Sequence, residues 1–342
     1  MKTIALTDFV AALPKAELHV HLVGSASVDT VLELSRSHPE LGVPTGEEAL
    51  RAFYDFTDFA HFIEVYVAVN ALVRRPEDVY ALVVGVARDL AVQQVRYAEL
   101  TVTPDSHLLL GIAPAALAEA LTAARDDAGA ASGVELAWIF DIPGELGLDS
   151  GERTIHWVEA HAPEGTVGFG LGGPEIGVPR PQFADVFARA RAIGLHSVPH
   201  AGETTGPQTI WDAIQSLGAE RIGHGIAAAD DPTLMAHLAE HQIALEICPT
   251  SNLRTRAVPA LPEHPFVRLR EAGVPMTLNS DDPGMFATTL NDEYLVASQV
   301  FGLSRVELVG LARTAIDVSF AGEQTKSALR EELESFLAAQ PT

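Results

Sequence analysis

ELHVHL, residues 17–22, is an apolar run in which two histidines alternate with leucine and valine. In a β-strand the period of two puts His19 and His21 on one face and Leu18, Val20 and Leu22 on the other. Seven further short apolar runs follow: VRYAELTV (95–102), VELAWIFDI (134–142), TVGFGL (166–171), LHSVPH (195–200), RIGH (221–224), IALEIC (243–248) and PMTLNS (275–280). Between them stand stretches with apolar residues at helical spacing, such as PQFADVFARARAIG and DPTLMAHLAEHQ. Strands alternating with helices pair in parallel through βαβ crossovers. Eight such units predict an α/β fold, a closed (β/α)8 or TIM barrel, as a single domain over residues 1–342.

Two intervals exceed an ordinary unit. Residues 23–94 hold enough chain for several helices and include FYDFTDFAHFIEVY. A helical insertion after strand 1 sits over the C-terminal mouth of a barrel, where a lid is expected. Phe53, Phe56, Phe59 and Phe62 recur every three residues on one helix-like stretch; they read as packing, with Phe59 or Phe62 able to wall a pocket. Residues 304–340 read as C-terminal helices, opened by a capping box of Ser304 and Glu307. No internal repeat is present.

The chain carries 46 acidic and 22 basic side chains, a formal charge of −24. Such a surface repels phosphates, which argues against nucleic acid and anionic membranes as partners. Cys248 is the only cysteine, so neither an internal disulfide nor a thiolate metal cluster can form; it reads as a small buried strand residue. The N-terminal MKTIALTDFVAALPKAELHV lacks the apolar run and cleavage site of a signal peptide. No stretch approaches the roughly 20 apolar residues of a membrane helix. A cytoplasmic protein is expected; a homo-oligomer is compatible with the sequence but does not follow from it.

Ligand-type residues stand at several of the strand ends. His19 and His21 close the first strand, His200-Ala-Gly-Glu203 the fifth, His224 the sixth, and Asp281-Asp282 the eighth. Catalytic residues of barrels come from the C-terminal ends of several strands. Three imidazoles and a carboxylate with room for water make a catalytic site for zinc or a similar divalent ion. GFGLGGPEIG lacks the order of a dinucleotide fingerprint, which argues against NAD. His61, His107, His156, His161, His196, His237, His241 and His264 read as surface or supporting residues.

LPKAELHVHL, PHAGE, RIGHG and LNSDDP, in that order and over nearly the whole chain, resemble the adenosine deaminase family of amidohydrolase barrels. The resemblance implies one bound Zn2+ and hydrolysis of the 6-amino group of an aminopurine nucleoside. By it, His19, His21, His200 and Asp281 hold the metal, Glu203 protonates the ring, and His224 orients and stabilises the hydroxide. Asp281 also takes the proton of the water, Asp282 bonds purine N7, and the Gly173 N–H meets N3. The family has an aspartate for the ribose 5′-hydroxyl where this chain has Val23, and its D-L-A-G-D-E reads Gly170-Leu-Gly-Gly-Pro-Glu175 here. A valine cannot accept that bond, and an unpaired buried hydroxyl costs roughly 1–3 kcal/mol. The pattern is similar to the 6-amino-6-deoxyfutalosine deaminases of menaquinone biosynthesis, whose substrate extends the 5′ carbon into a carboxyphenyl ketone. Val23 would pack on that chain, and Arg180, Arg254 or Arg256 would meet its carboxylate. Adenosine and other aminopurines are the alternative substrates. A two-metal amidohydrolase acting on amides, lactones or phosphotriesters is the alternative class, although GFGLGG offers no bridging lysine; a non-catalytic scaffold would not need these residues at four strand ends.

Overall fold

The computed structural model describes residues 5–339; Met1–Ile4 and Gln340–Thr342, the ends of the expected domain, lie outside them. Eight strands occur where the apolar runs place them: β1 (Lys15–His21), β2 (Val95–Val102), β3 (Glu135–Pro143), β4 (Thr166–Gly172), β5 (His196–Ala201), β6 (Arg221–His224), β7 (Ala244–Ile247) and β8 (Met276–Leu278). Each pairs in parallel with the next. Almost every strand residue is buried, as expected for strands covered on both faces. The ring closes between β1 and the residues after β8. Asp281 N–H donates to His19 O at 3.1 Å, His21 N–H donates to Asp281 O at 2.8 Å, and Leu18 N–H donates to Asn279 Oδ1 at 3.0 Å.

The insertion after β1 forms helices Val28–Ser37, Glu47–Phe53, Phe59–Asn70 and Pro76–Val92. Here the structure corrects the phenylalanine ladder, which is not one helix. The first helix ends at Phe53, and Asp58 starts the next by accepting His61 N–H at 2.9 Å. An aspartate N-cap outweighs the three-residue periodicity. Phe59–Asn70 lies across the barrel mouth. Its Phe62 ring packs 5.3 Å from Phe56 and 5.1 Å from Phe286, which sits in the short helix Pro283–Phe286 after β8. The lid is therefore tied to the loop that carries Asp281 and Asp282.

Helices Arg305–Val318 and Glu323–Ala338 end the described chain. Ser304 and Glu307 form the expected capping box: Ser304 N–H donates to Glu307 Oε2 at 2.7 Å, and Glu307 N–H to Ser304 Oγ at 3.4 Å. The lower barrel interior, nearer the strands' N-terminal ends, holds a paired charge network. Arg221 Nε donates to Glu246 Oε1 at 2.7 Å, and its other nitrogens bond Glu99 and Val318 O. Phe320 lies over the guanidinium at 3.8 Å. No described helix is long and apolar enough to cross a membrane.

Candidate active site

Four side chains converge at the C-terminal end of the barrel. His19 and His21 come from β1, His200 from β5, and Asp281 from the loop after β8; their ligand atoms all lie within 4.8 Å of one another. His21 Nε2 is 3.3 Å from His200 Nε2 and 3.3 Å from Asp281 Oδ1, and His19 Nε2 is 3.4 Å from Asp281 Oδ1. Nitrogen and oxygen donors about 2.0–2.1 Å from a tetrahedral ion are about 3.3 Å apart, so these spacings fit a divalent metal. His19 Nδ1–H donates to Glu246 Oε2 at 2.8 Å, leaving its Nε2 buried without a hydrogen-bond partner. A carboxylate behind an imidazole in this way fixes the ligating nitrogen.

Burial lowers the pKa of His21 to about 4 and that of His200 well below its ordinary value. Both are then neutral, the form that ligates a metal. Burial also acts against charge on His19, but Asp281 and Glu246 outweigh it and lift that pKa to about 10. The pair thus draws positive charge to His19, where a cation and a proton compete. Cys248 adjoins the cluster, yet burial and the carboxylates around it push its thiol well up, and a protonated thiol is no ligand. Asp281 and His224 have φ of 63° and 58°. Non-glycine residues in that region carry strain of about 1–3 kcal/mol, a feature concentrated at functional sites.

A cavity opens from this cluster. His21, His200, Glu203, His224, Asp281, Asp282 and Gly173 line it, so every expected site residue except His19 and Val23 reaches it directly. His19 belongs to the buried cluster behind. Val23 is 3% exposed and packs in the core, outside the lining. The lid contributes Phe59, Phe62, Ile63, Tyr66, Val67 and Asn70. Burial first, then Asp281 and Glu175, raise the Glu203 pKa well above the carboxylate range. Asp282 is raised likewise by burial and by Asp281. Its Oδ1 is buried and unpartnered, and a Cβ at Gly24 would come within 1.6 Å of it, so only glycine lets the β1 loop pass.

Several supporting residues had no role assigned from the sequence. Glu175, in the glycine-rich loop after β4, faces the β5 loop: it accepts from Glu203 N–H at 3.0 Å and Thr205 N–H at 3.1 Å. Asp141 at the end of β3 lines the cavity and accepts from Thr103 Oγ1 at 2.6 Å. Burial raises its pKa to about 6. The signal for Asp141, Glu246 and Glu99 was an acidic residue inside an otherwise apolar strand, which folding tolerates only when the group is partnered or used. Of the three arginines, Arg180 is wholly buried and committed, donating to His200 O at 3.0 Å and Val178 O at 3.0 Å. Arg254 bonds Tyr54 O at 2.5 Å. Arg256 is exposed and, with Arg268, lines an open cleft that shares Phe59 and Glu203 with the cavity.

Comparison with known proteins extends this picture. The family model described as adenosine deaminase matches residues 14–336. The aminodeoxyfutalosine deaminase of Streptomyces avermitilis is 56% identical over 336 residues, covering 98% of this chain and 94% of that protein. The crystal structure of adenine deaminase from Arthrobacter aurescens superposes with a TM-score of 0.90 at 30% identity, covering 96% of this chain and all of that one. An amidohydrolase structure from Burkholderia ambifaria with bound zinc gives a TM-score of 0.90 at 25% identity, covering 99% of this chain and 96% of that one.

Proposed function

Since the chain belongs to the adenosine deaminase family, we propose that it hydrolyses the 6-amino group of aminodeoxyfutalosine, releasing ammonia and futalosine. The observation that carries the reaction is one cavity faced by a metal-type His3Asp cluster and by two buried carboxyl groups whose pKa values are raised by burial and neighbouring carboxylates. The substrate rests on the 56% identity to a protein of that name, against 30% for the adenine deaminase structure. Menaquinone biosynthesis is the setting this substrate implies.

His19, His21, His200 and Asp281 would hold one Zn2+ or another divalent ion. Bound there, such an ion lowers the pKa of a water toward 7 and supplies a nucleophile at neutral pH. The remaining work falls to the side chains. Attack at C6 drives electrons onto N1, and Glu203, protonated because it is buried beside other carboxylates, donates its proton there. Purine N7 only accepts hydrogen bonds, so its partner must carry a hydrogen, and burial beside Asp281 pushes the Asp282 pKa in that direction. Gly173, at φ 77°, brings backbone to the cavity for N3. Phe59, Phe62 and Ile63 exclude water and supply apolar wall.

Val23 packs in the core outside the cavity lining and supplies no acceptor for a free 5′-hydroxyl. The substrate carboxylate is assigned to Arg256, whose guanidinium has no partner among the described residues and lies in the adjoining cleft. Among the described residues no lysine lines the cavity, Lys15 and Lys326 standing elsewhere, so no bridging lysine for a two-metal site is seen. Ammonia release from aminodeoxyfutalosine, adenosine, 5′-methylthioadenosine and adenine tests the reading. The largest kcat/KM is expected for aminodeoxyfutalosine; an equal or larger value for adenine or adenosine overturns the substrate assignment.

A further inference from the structure

Behind the cavity, a buried chain of hydrogen bonds runs from a backbone amide to His224. Phe266 N–H donates to His264 Nδ1 at 3.1 Å. A backbone amide can only donate, so His264 Nδ1 is the bare nitrogen and Nε2 carries the hydrogen. His264 Nε2 lies 3.1 Å from Asn252 Oδ1, and Asn252 Nδ2 lies 3.2 Å from His224 Nδ1. With its oxygen committed to His264, Asn252 can offer His224 only its NH2 group, so His224 Nδ1 must accept. The hydrogen of neutral His224 is therefore on Nε2, the atom that faces Asp281 Oδ2 and Glu203 Oε2, each at 3.7 Å. Asn252 and Phe266 are fully buried and His264 nearly so, which leaves water little means to reverse any link.

We propose that Asn252 and His264 are positioning residues that lock His224 as the Nε2–H tautomer, the form in which it can donate a hydrogen bond to the incoming oxygen, as the role given it by the family resemblance requires. The proton lost by the attacking water passes, as that resemblance implies, to Asp281, which faces the same point: one O–H bond breaks, a carboxyl O–H forms, and the oxygen electron pair goes to C6. A donor aimed where negative charge gathers stabilises the transition state without reorganising. The inference rests on the deaminase reading of the site, but its first test does not.

That test is 15N NMR of the metal-loaded protein with labelled histidine. The His224 Nδ1 signal should fall in the unprotonated range and Nε2 in the protonated one; the opposite pattern overturns the proposal whatever the enzyme acts on. The second arm is Asn252→Asp, near-isosteric but able only to accept, which moves the His224 hydrogen to Nδ1. Loss of one preorganised donor lowers kcat by roughly 10²–10³-fold, with KM and metal content unchanged. His264→Ala frees the Asn252 amide to turn and should cost less than Asn252→Asp, with both tautomers visible by NMR. An Asn252→Asp enzyme with near-normal kcat contradicts the locked donor. Should that variant not fold, the spectrum of the unmutated protein still decides.

Discussion

The upper and lower interiors of this barrel handle buried charge in opposite ways. Below, Arg221 answers Glu99 and Glu246, and Phe320 covers the guanidinium. Above, Glu203, Asp281 and Asp282 crowd one cavity with imidazoles, and the buried guanidinium of Arg180 is spent on backbone carbonyls and a 3.9 Å approach to Glu175. Paired charges hold a fold; unpaired ones store potential for chemistry. Glu246 joins the regions, with one oxygen on Arg221 and the other on His19. The lower network thus sets the orientation of a metal ligand above it.

The largest effect should come from disarming the upper region. Glu203→Gln keeps the shape but has no acidic proton, and the rate should fall at least roughly 10²–10⁴-fold with thermal stability unchanged. Near-normal kcat would place the proton source elsewhere. The sign of the pH dependence follows from the raised pKa: the acid form is present below it, so kcat declines on the alkaline side as Glu203 ionises. The small residual rate of Glu203→Gln should lack that decline. In the lower region, Arg221→Met leaves Glu99 and Glu246 buried without a counter-charge. Chemical denaturation should register about 3–5 kcal/mol of lost stability, and metal affinity should weaken as Glu246 loses its anchor. A loss below about 1 kcal/mol would show that the pairing there is ornamental.

Val23→Asp lies between the regions. Because Val23 is in the core, the new carboxylate is desolvated without a partner, and destabilisation above about 1 kcal/mol is expected without efficient turnover of adenosine. Gain of adenosine deamination in a stable protein would return Val23 to the substrate pocket. The smallest effect belongs to Arg256→Ala, which should raise KM for aminodeoxyfutalosine and leave 5′-methylthioadenosine unchanged. Equal effects on both would remove Arg256 as the carboxylate partner.

Much of this architecture was legible in residue order. The eight strands announce themselves because strands buried on both faces are nearly continuous apolar runs, and β2 and β6 fall where VRYAELTV and RIGH stand. The His3Asp cluster was legible because barrel chemistry gathers at strand ends. The lid was foreseen as a place, but its helix boundary was not, since Asp58 interrupts a spacing that favours continuity. Asn252, His264 and Glu175 were invisible as partners: each acts across the fold through a contact that local spacing does not encode. Val23 was misplaced for a related reason. Sequence position says which loop a residue occupies, while packing decides whether its side chain meets the cavity.

Metal content per chain, measured on the unmutated protein beside Glu203→Gln and His21→Ala, separates the ligands from the acid. Close to one divalent ion is expected in the first two and little in the third, with deaminase activity only in the first. An active protein without metal, or a Glu203→Gln protein that has lost it, would contradict the division of the upper barrel into ligands and acid.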